Sequence, residues 1–242
     1  MKTVYIKLIA TGFALTLVVS IFSAIGVIFE LNDTGVIALQ ILAFALCSIV
    51  IAGYMRKKDA SLKLFGFRKP KLTLTIILFS MAIILIQPLV LGFNRSLTPT
   101  FVGLILLQMV LVGFVEESLF RSVFFFFLQD NKKVYVGFSS IVFGLLHAAS
   151  GINPEFPLVL VLLQIVNALL LGIIFALLYL KTHSIYTTML LHTLFNLFAS
   201  ISKEGSLEQT FLAVGVLLII YIVFGIYLIK SNKKFLQTIK QK

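Results

Sequence analysis

The sequence predicts an all-α polytopic membrane protein with eight transmembrane helices. Three observations predict it. Of the 242 residues, 60% are apolar and 12% charged, against roughly 45–50% and about 25% in soluble domains. Apolar runs recur along the chain, each near the ~20 residues that cross a bilayer. The basic residues gather in alternate breaks between those runs, as they do when one face of a membrane protein stays in the cytoplasm. The same composition excludes a disordered chain. With Cys47 as the single cysteine, it also excludes a disulfide scaffold. Neither a repeat nor a second domain is visible, so 1–242 reads as one integral membrane domain.

The first run, Val4–Phe29, has a basic start and could be mistaken for a signal peptide. Its apolar stretch of about 20 residues exceeds the usual 7–15, so it is expected to remain as a span. The polar break Glu30–Thr34 separates it from the second run, Gly35–Met55. The basic break Arg56–Lys71 precedes Leu72–Phe93, and Asn94–Pro99 precedes the long run Thr100–Leu128. Gln129–Lys133 leads to Val134–Ser150, and Gly151–Phe156 to Pro157–Leu180. Lys181–Ser184 introduces Ile185–Ile201, and Ser202–Ser206 introduces the last run, Leu207–Ile229.

Charge sorts by alternate break. Lys2, Lys7, the Arg56–Lys71 loop, Lys132, Lys133, Lys181 and the tail Lys230–Lys242 hold 17 of the 20 basic residues. The opposite breaks hold only Arg95 and Lys203, with the acids Glu30, Asp33, Glu155, Glu204 and Glu208. This places both termini in the cytoplasm of an integral multi-pass protein. The net charge of +11 is then a topological signal that meets anionic lipid, and no nucleic-acid partner is expected.

Ionisable groups inside a bilayer are costly and tend to mark function. The fourth run carries Glu116, Glu117 and Arg121, the fifth carries Phe143 and His147, and the seventh carries His192 and Asn196. Residues four apart share a helix face, so Glu117 and Arg121 can neutralise each other. Glu116 lies about 100° round the helix and is free to face a cavity. Counted from the basic breaks at 1.5 Å per residue, Glu116 lies about 24 Å in, His147 about 21 Å, and His192 and Asn196 about 16 and 22 Å. The similar depths suit one shared site. Gln108, Gln164 and Asn167 read as interhelical hydrogen-bond partners or as lining of the same cavity.

A glutamate with two histidines and an amide can activate water for attack on a carbonyl. Glu116 would be the general base, with a histidine and Asn196 as donors to the oxyanion. The same residues can instead hold a divalent metal, zinc among them, through His147, His192 and Glu116. The H-E-x-x-H helix signature is absent.

These residues form three ordered patterns: Glu116-Glu117 followed by Arg121, Phe143 followed by His147, and His192 followed by Asn196. In this the sequence resembles the CPBP family of CAAX-protease and bacteriocin-processing (Abi) membrane proteins, which includes the type II CAAX prenyl endopeptidases. The resemblance covers about residues 100–200 as a catalytic core. The stretch Leu64–Arg68 also looks like the family, though less specifically. The resemblance implies an intramembrane endopeptidase in which Glu116 activates water and His147, His192 and Asn196 complete the site. Glu117, Arg121 and Phe143 support it. The cofactor is either absent or a divalent metal. The expected substrate is a peptide or membrane-protein segment near the cytoplasmic side, in bacteriocin maturation, self-immunity or CAAX-like processing. Two other classes use the same polar cluster: a proton-coupled transporter, and a non-catalytic immunity or scaffold protein.

Overall fold

The computed structural model describes residues 2–152 and 157–232. Glu155 and the tail lysines Lys233, Lys234, Lys240 and Lys242, which enter the charge pattern above, lie outside the described residues. Among the described residues the regular structure is helical throughout, with one isolated antiparallel bridge, Phe93 with Ser202.

Eight helices follow the apolar runs: α1 (Lys2–Ile28), α2 (Asp33–Lys58), α3 (Leu74–Leu91), α4 (Pro99–Leu128), α5 (Lys132–Gly151), α6 (Leu158–Thr182), α7 (Ile185–Ser200) and α8 (Leu207–Ser231). Their starts are set by side chains that accept the first free backbone N–H groups. Asn32, Thr73, Thr98 and Asn131 each accept one, and Ser206 forms a reciprocal capping box with Gln209. Seven helices are long and apolar enough to cross a bilayer. The exception is α7, whose 16 residues rise about 24 Å. It is tied at its end to α3, where Asn94 N–H donates to Ile201 O and Lys203 N–H to Gly92 O, both at 2.9 Å.

Helix α5 packs along α6, α4 lies between α2 and α7, and α8 packs against both α6 and α3. Helix α1 leans on α2 and touches α5. Two apolar clusters fill the bundle. One joins α1, α2, α4 and α5 around Phe120, Phe124 and Tyr135, and the other joins α3, α6, α7 and α8 around Phe175, Phe195 and Phe224.

The basic end of the bundle is plugged by its own loop. A short 3₁₀ turn, Lys63–Phe65, buries the Phe65 ring completely against Phe126. Ser122 Oγ donates to Phe65 O at 2.6 Å, Ile185 N–H to Gly66 O at 2.9 Å, and Ser184 Oγ to Arg68 O at 2.5 Å. Gly66 has φ +80°, and a Cβ there would stand 2.6 Å from the Tyr179 ring, so only glycine fits both the turn and the contact. Asp59 anchors the loop by accepting from Leu64 N–H and from Ser61 N–H and Oγ. The Leu64 N–H and the Ser61 hydroxyl hold its carboxyl below the usual range.

Candidate active site

Glu116 and Glu117 end the α-helical part of α4, which widens into a π-helical turn over Ser118–Val123. Phe124 N–H donates to Leu119 O, five residues back, and all six residues of the turn are buried. The Tyr135 hydroxyl donates to Arg121 O at 3.2 Å and takes up acceptor capacity that an α-helical ladder would use. An inserted side chain of this kind is a recognised cause of such turns, which are frequent at functional sites.

Arg121 Nε lies 3.2 Å from Glu117 Oε2, and both side chains have no exposure. The pairing at i, i+4 agrees with the sequence expectation despite the widened turn. The guanidinium sits over the Phe143 ring at 4.7 Å and the Phe175 ring at 5.5 Å. Its two terminal nitrogens make no hydrogen bond, so the ring faces are their main electrostatic partners.

Glu117 uses its other oxygen on α7: His192 Nδ1 donates to Glu117 Oε1 at 2.9 Å. The opposite ring nitrogen, His192 Nε2, faces Glu116 Oε2 at 3.7 Å. Gly113 makes this approach possible. A Cβ there would meet Thr193 Oγ1 at 2.5 Å and Met189 O at 3.1 Å, and Thr193 Oγ1 donates across to Met109 O at 3.2 Å. Close helix contact through small residues is how membrane helices associate. Here it falls one turn from the glutamates.

Glu116 Oε2 is buried without a hydrogen-bond partner, yet the side chain keeps 17% exposure and lines a cavity of about 850 Å³. His147 lines the same cavity at the end of α5. Its Nδ1 donates to Phe143 O at 2.8 Å, and its ring meets the Phe143 ring edge-on at 4.7 Å. That hydrogen bond fixes the tautomer and leaves Nε2 as the atom with capacity for a further partner.

The wall opposite the glutamate is α1. Leu15, Thr16, Val19, Ser20, Ser23, Ala24, Val27 and Ile28 line the cavity as one continuous stripe. Gln40 lines it too; its Nε2 donates to Ser23 Oγ at 3.0 Å, and its Oε1 accepts from Gln108 Nε2 at 2.5 Å. Gln164 completes the polar lining, with its Oε1 buried and unpartnered. Asn167, by contrast, accepts from Tyr221 OH and serves helix packing. The α1 stripe was missed from sequence. Its signal is hydroxyls at positions 16, 20 and 23, a helical spacing within an otherwise apolar run.

Of the residues expected to form the site, Glu116, Glu117, Arg121, Phe143, His147 and His192 meet at the centre of the bundle. Glu116, Phe143 and His147 line the cavity, whereas His192 is 3% exposed and lies behind Glu116. Asn196 stands one turn beyond His192 on α7 and is outside the cavity lining. Among the described residues no group of three or more His, Cys, Asp or Glu side chains is placed to hold an ion. His192 Nε2 and Glu116 Oε2 form a facing pair, but His147 does not complete it as a third ligand. His192 Nδ1 and His147 Nδ1 are already committed to Glu117 and the Phe143 carbonyl.

The fold and site together define an integral, multi-pass, all-α membrane protein with a buried carboxylate–imidazole cluster opening into an internal cavity. Residues 98–198 match the family described as type II CAAX prenyl endopeptidase Rce1-like, the CAAX-protease family that the three motifs resemble. The match spans every motif residue of the cluster and implies a peptidase. No curated protein and no solved structure matches the chain.

Proposed function

We propose that the protein is an intramembrane endopeptidase that hydrolyses a peptide or membrane-protein segment held in the α1–α5 cavity, with Glu116 as general base. The observation that carries this reading is the contrast between the two adjacent carboxylates. Glu117 is consumed by Arg121 and His192, while Glu116 Oε2 has no hydrogen-bond partner and its side chain opens to the cavity.

In this mechanism a water in the cavity gives a proton to the Glu116 carboxylate as its oxygen bonds to the scissile carbonyl carbon. Collapse of the tetrahedral oxyanion breaks the C–N bond, and Glu116 returns the proton to the leaving amine. His147 presents Nε2 to the same space. With a proton there it donates to the oxyanion; without one it accepts a hydrogen of the attacking water. His192 acts through Glu116 and is a positioning residue, held by Glu117 so that its Nε2 faces the base. Asn196, first expected to donate to the oxyanion, joins the site only through its shared face with His192. No step is routed through a metal, and the chelator arm of the test below addresses one. The termini lie in the cytoplasm by the distribution of basic loops. CAAX-like processing, bacteriocin maturation and self-immunity all supply substrates of this chemical kind.

The test is turnover of a quenched peptide library by purified protein, with and without a chelator. Cleavage that survives thorough chelation and is lost in Glu116→Ala supports the mechanism. Cleavage retained by Glu116→Ala overturns it, and Glu116→Ala that still protects cells points to a scaffold or immunity protein.

A further inference from the structure

The cavity has a direction. Its stripe on α1 begins at Leu15, mid-helix, and runs to Ile28, the last residue of the helix and 74% exposed. Thirteen residue steps at 1.5 Å make a wall about 20 Å tall. On α5 the lining climbs likewise from Phe143 to Ser150, beside the helix end at Gly151.

Below Leu15 the wall closes. A Cβ on Gly12 would stand 2.9 Å from Leu146 Cδ1 and 3.4 Å from the Phe120 ring, so helix and floor are in full contact there. Tyr5 packs edge-on against Phe138 at 5.0 Å about two turns lower. Beneath the ion pair, the fully buried Phe65 and the hydrogen bonds from Ser122, Ser184 and Ile185 to the 65–68 backbone seal the basic end. The open end is therefore the one that carries Glu30, Asp33, Glu204 and Glu208, and the sealed end carries the lysine and arginine loops.

We infer that the substrate reaches Glu116 from the face of the acid-rich loops, not from the cytoplasmic side expected from the sequence, and that the basic face is closed to it. By the positive-inside rule this open face is extracytoplasmic. The substrate class follows: a peptide or membrane-protein segment presented outside the cytoplasm, rather than a chain terminus presented in it. A wall of about 20 Å accepts about six residues of extended chain. The cavity lining carries one carboxylate, Glu116, and one imidazole, His147, among hydroxyls, amides and apolar groups, which suits an uncharged, apolar segment whose backbone needs hydrogen-bond partners. The word substrate rests on the endopeptidase reading; the direction of the cavity does not, and it is tested without cleavage.

In a Cys47→Ala background, single cysteines are placed in the cavity as Ser23→Cys and Ser150→Cys. Ser20→Cys stands in if loss of the Gln40 hydrogen bond prevents Ser23→Cys from inserting. Lys57→Cys marks the basic face and Glu204→Cys the acidic face. Right-side-out and inverted vesicles are treated with a membrane-impermeant sulfonated maleimide, and labelling is read as a gel shift. The cavity cysteines are expected to shift in the orientation that shifts Glu204→Cys, and to lose that shift where Lys57→Cys reacts. Labelling alongside Lys57→Cys overturns the inference, as does failure to label in either orientation. Protein that labels as expected but cleaves no peptide overturns the endopeptidase reading and leaves the sidedness standing.

Discussion

Glu117 and His192 fasten α4 to α7 at the centre of the bundle, with Nδ1 and Oε1 2.9 Å apart and both side chains almost fully buried. This contact separates two adjacent carboxylates into different tasks. Glu117 is a structural anchor that balances Arg121 and orients an imidazole. Glu116 lines the cavity, with its buried Oε2 facing His192 Nε2 and making no hydrogen bond.

Paired isosteric variants distinguish those tasks. Glu116→Gln keeps the shape of the side chain while removing the base, so peptide turnover should fall by about 10²–10⁴-fold with thermal stability unchanged. Glu117→Gln strands a guanidinium that already has two unbonded nitrogens. It should cost about 3–5 kcal/mol, read as a lowered thermal midpoint in detergent. Equal stability of the two variants would remove the basis for assigning them different roles.

The spacing of α4 and α7 should be as demanding as the side chains. Gly113→Ala places a methyl 2.5 Å from Thr193 Oγ1. The expected result is a loss of about 1–3 kcal/mol from overpacking, with a fall in turnover as His192 is pushed from Glu116. Adding Thr193→Ala removes the colliding hydroxyl and should restore part of both. If the double variant is no better than Gly113→Ala alone, the helix contact does not control the site.

How much of this was legible in the sequence depends on whether a feature is local to one helix. The spans were, because apolar runs and charged breaks alternate; every helix begins and ends within three residues of its expected position once the fifth span's closing 3₁₀ turn is counted with it. The Glu117–Arg121 pair was legible too, since i, i+4 geometry needs no partner helix. The role of His192 was not. Its depth matched that of His147, but only packing of α7 on α4 through Gly113 turns it towards the two glutamates and away from the cavity. The α1 wall was hidden for the same reason: Thr16, Ser20 and Ser23 are ordinary in a membrane helix until Gln40 and Glu116 are seen across from them.

The plug at the basic end should be a stability element. Phe65→Ala empties a fully buried ring site between α4 and the loop, and an aromatic-to-alanine change in a core costs about 3–5 kcal/mol. Limited proteolysis from the basic face should then cut within 56–71 faster than in the wild type. Unchanged proteolysis and an unchanged thermal midpoint would show that the loop is not a seal.

The acid sensitivity of that same face should trace to His183, which ends α6 with φ +53°. Burial first, and then the charges of Arg68, Lys132 and Lys71, hold its imidazole below the ordinary value. The unfolded chain therefore takes up a proton at a higher pH than the folded one. The stability this contributes is present above the unfolded value of about 6.5 and is lost as pH falls from there towards the lower folded value. His183→Asn keeps a residue that tolerates the left-handed backbone and removes the titrating group. The thermal midpoint of the variant should vary less between pH 6.5 and 5 than that of the wild type. High salt should reduce the wild-type slope, because the three cations act through screened charge, while the burial contribution persists. A wild-type midpoint that rises as pH falls through this range would contradict the sign of the shift.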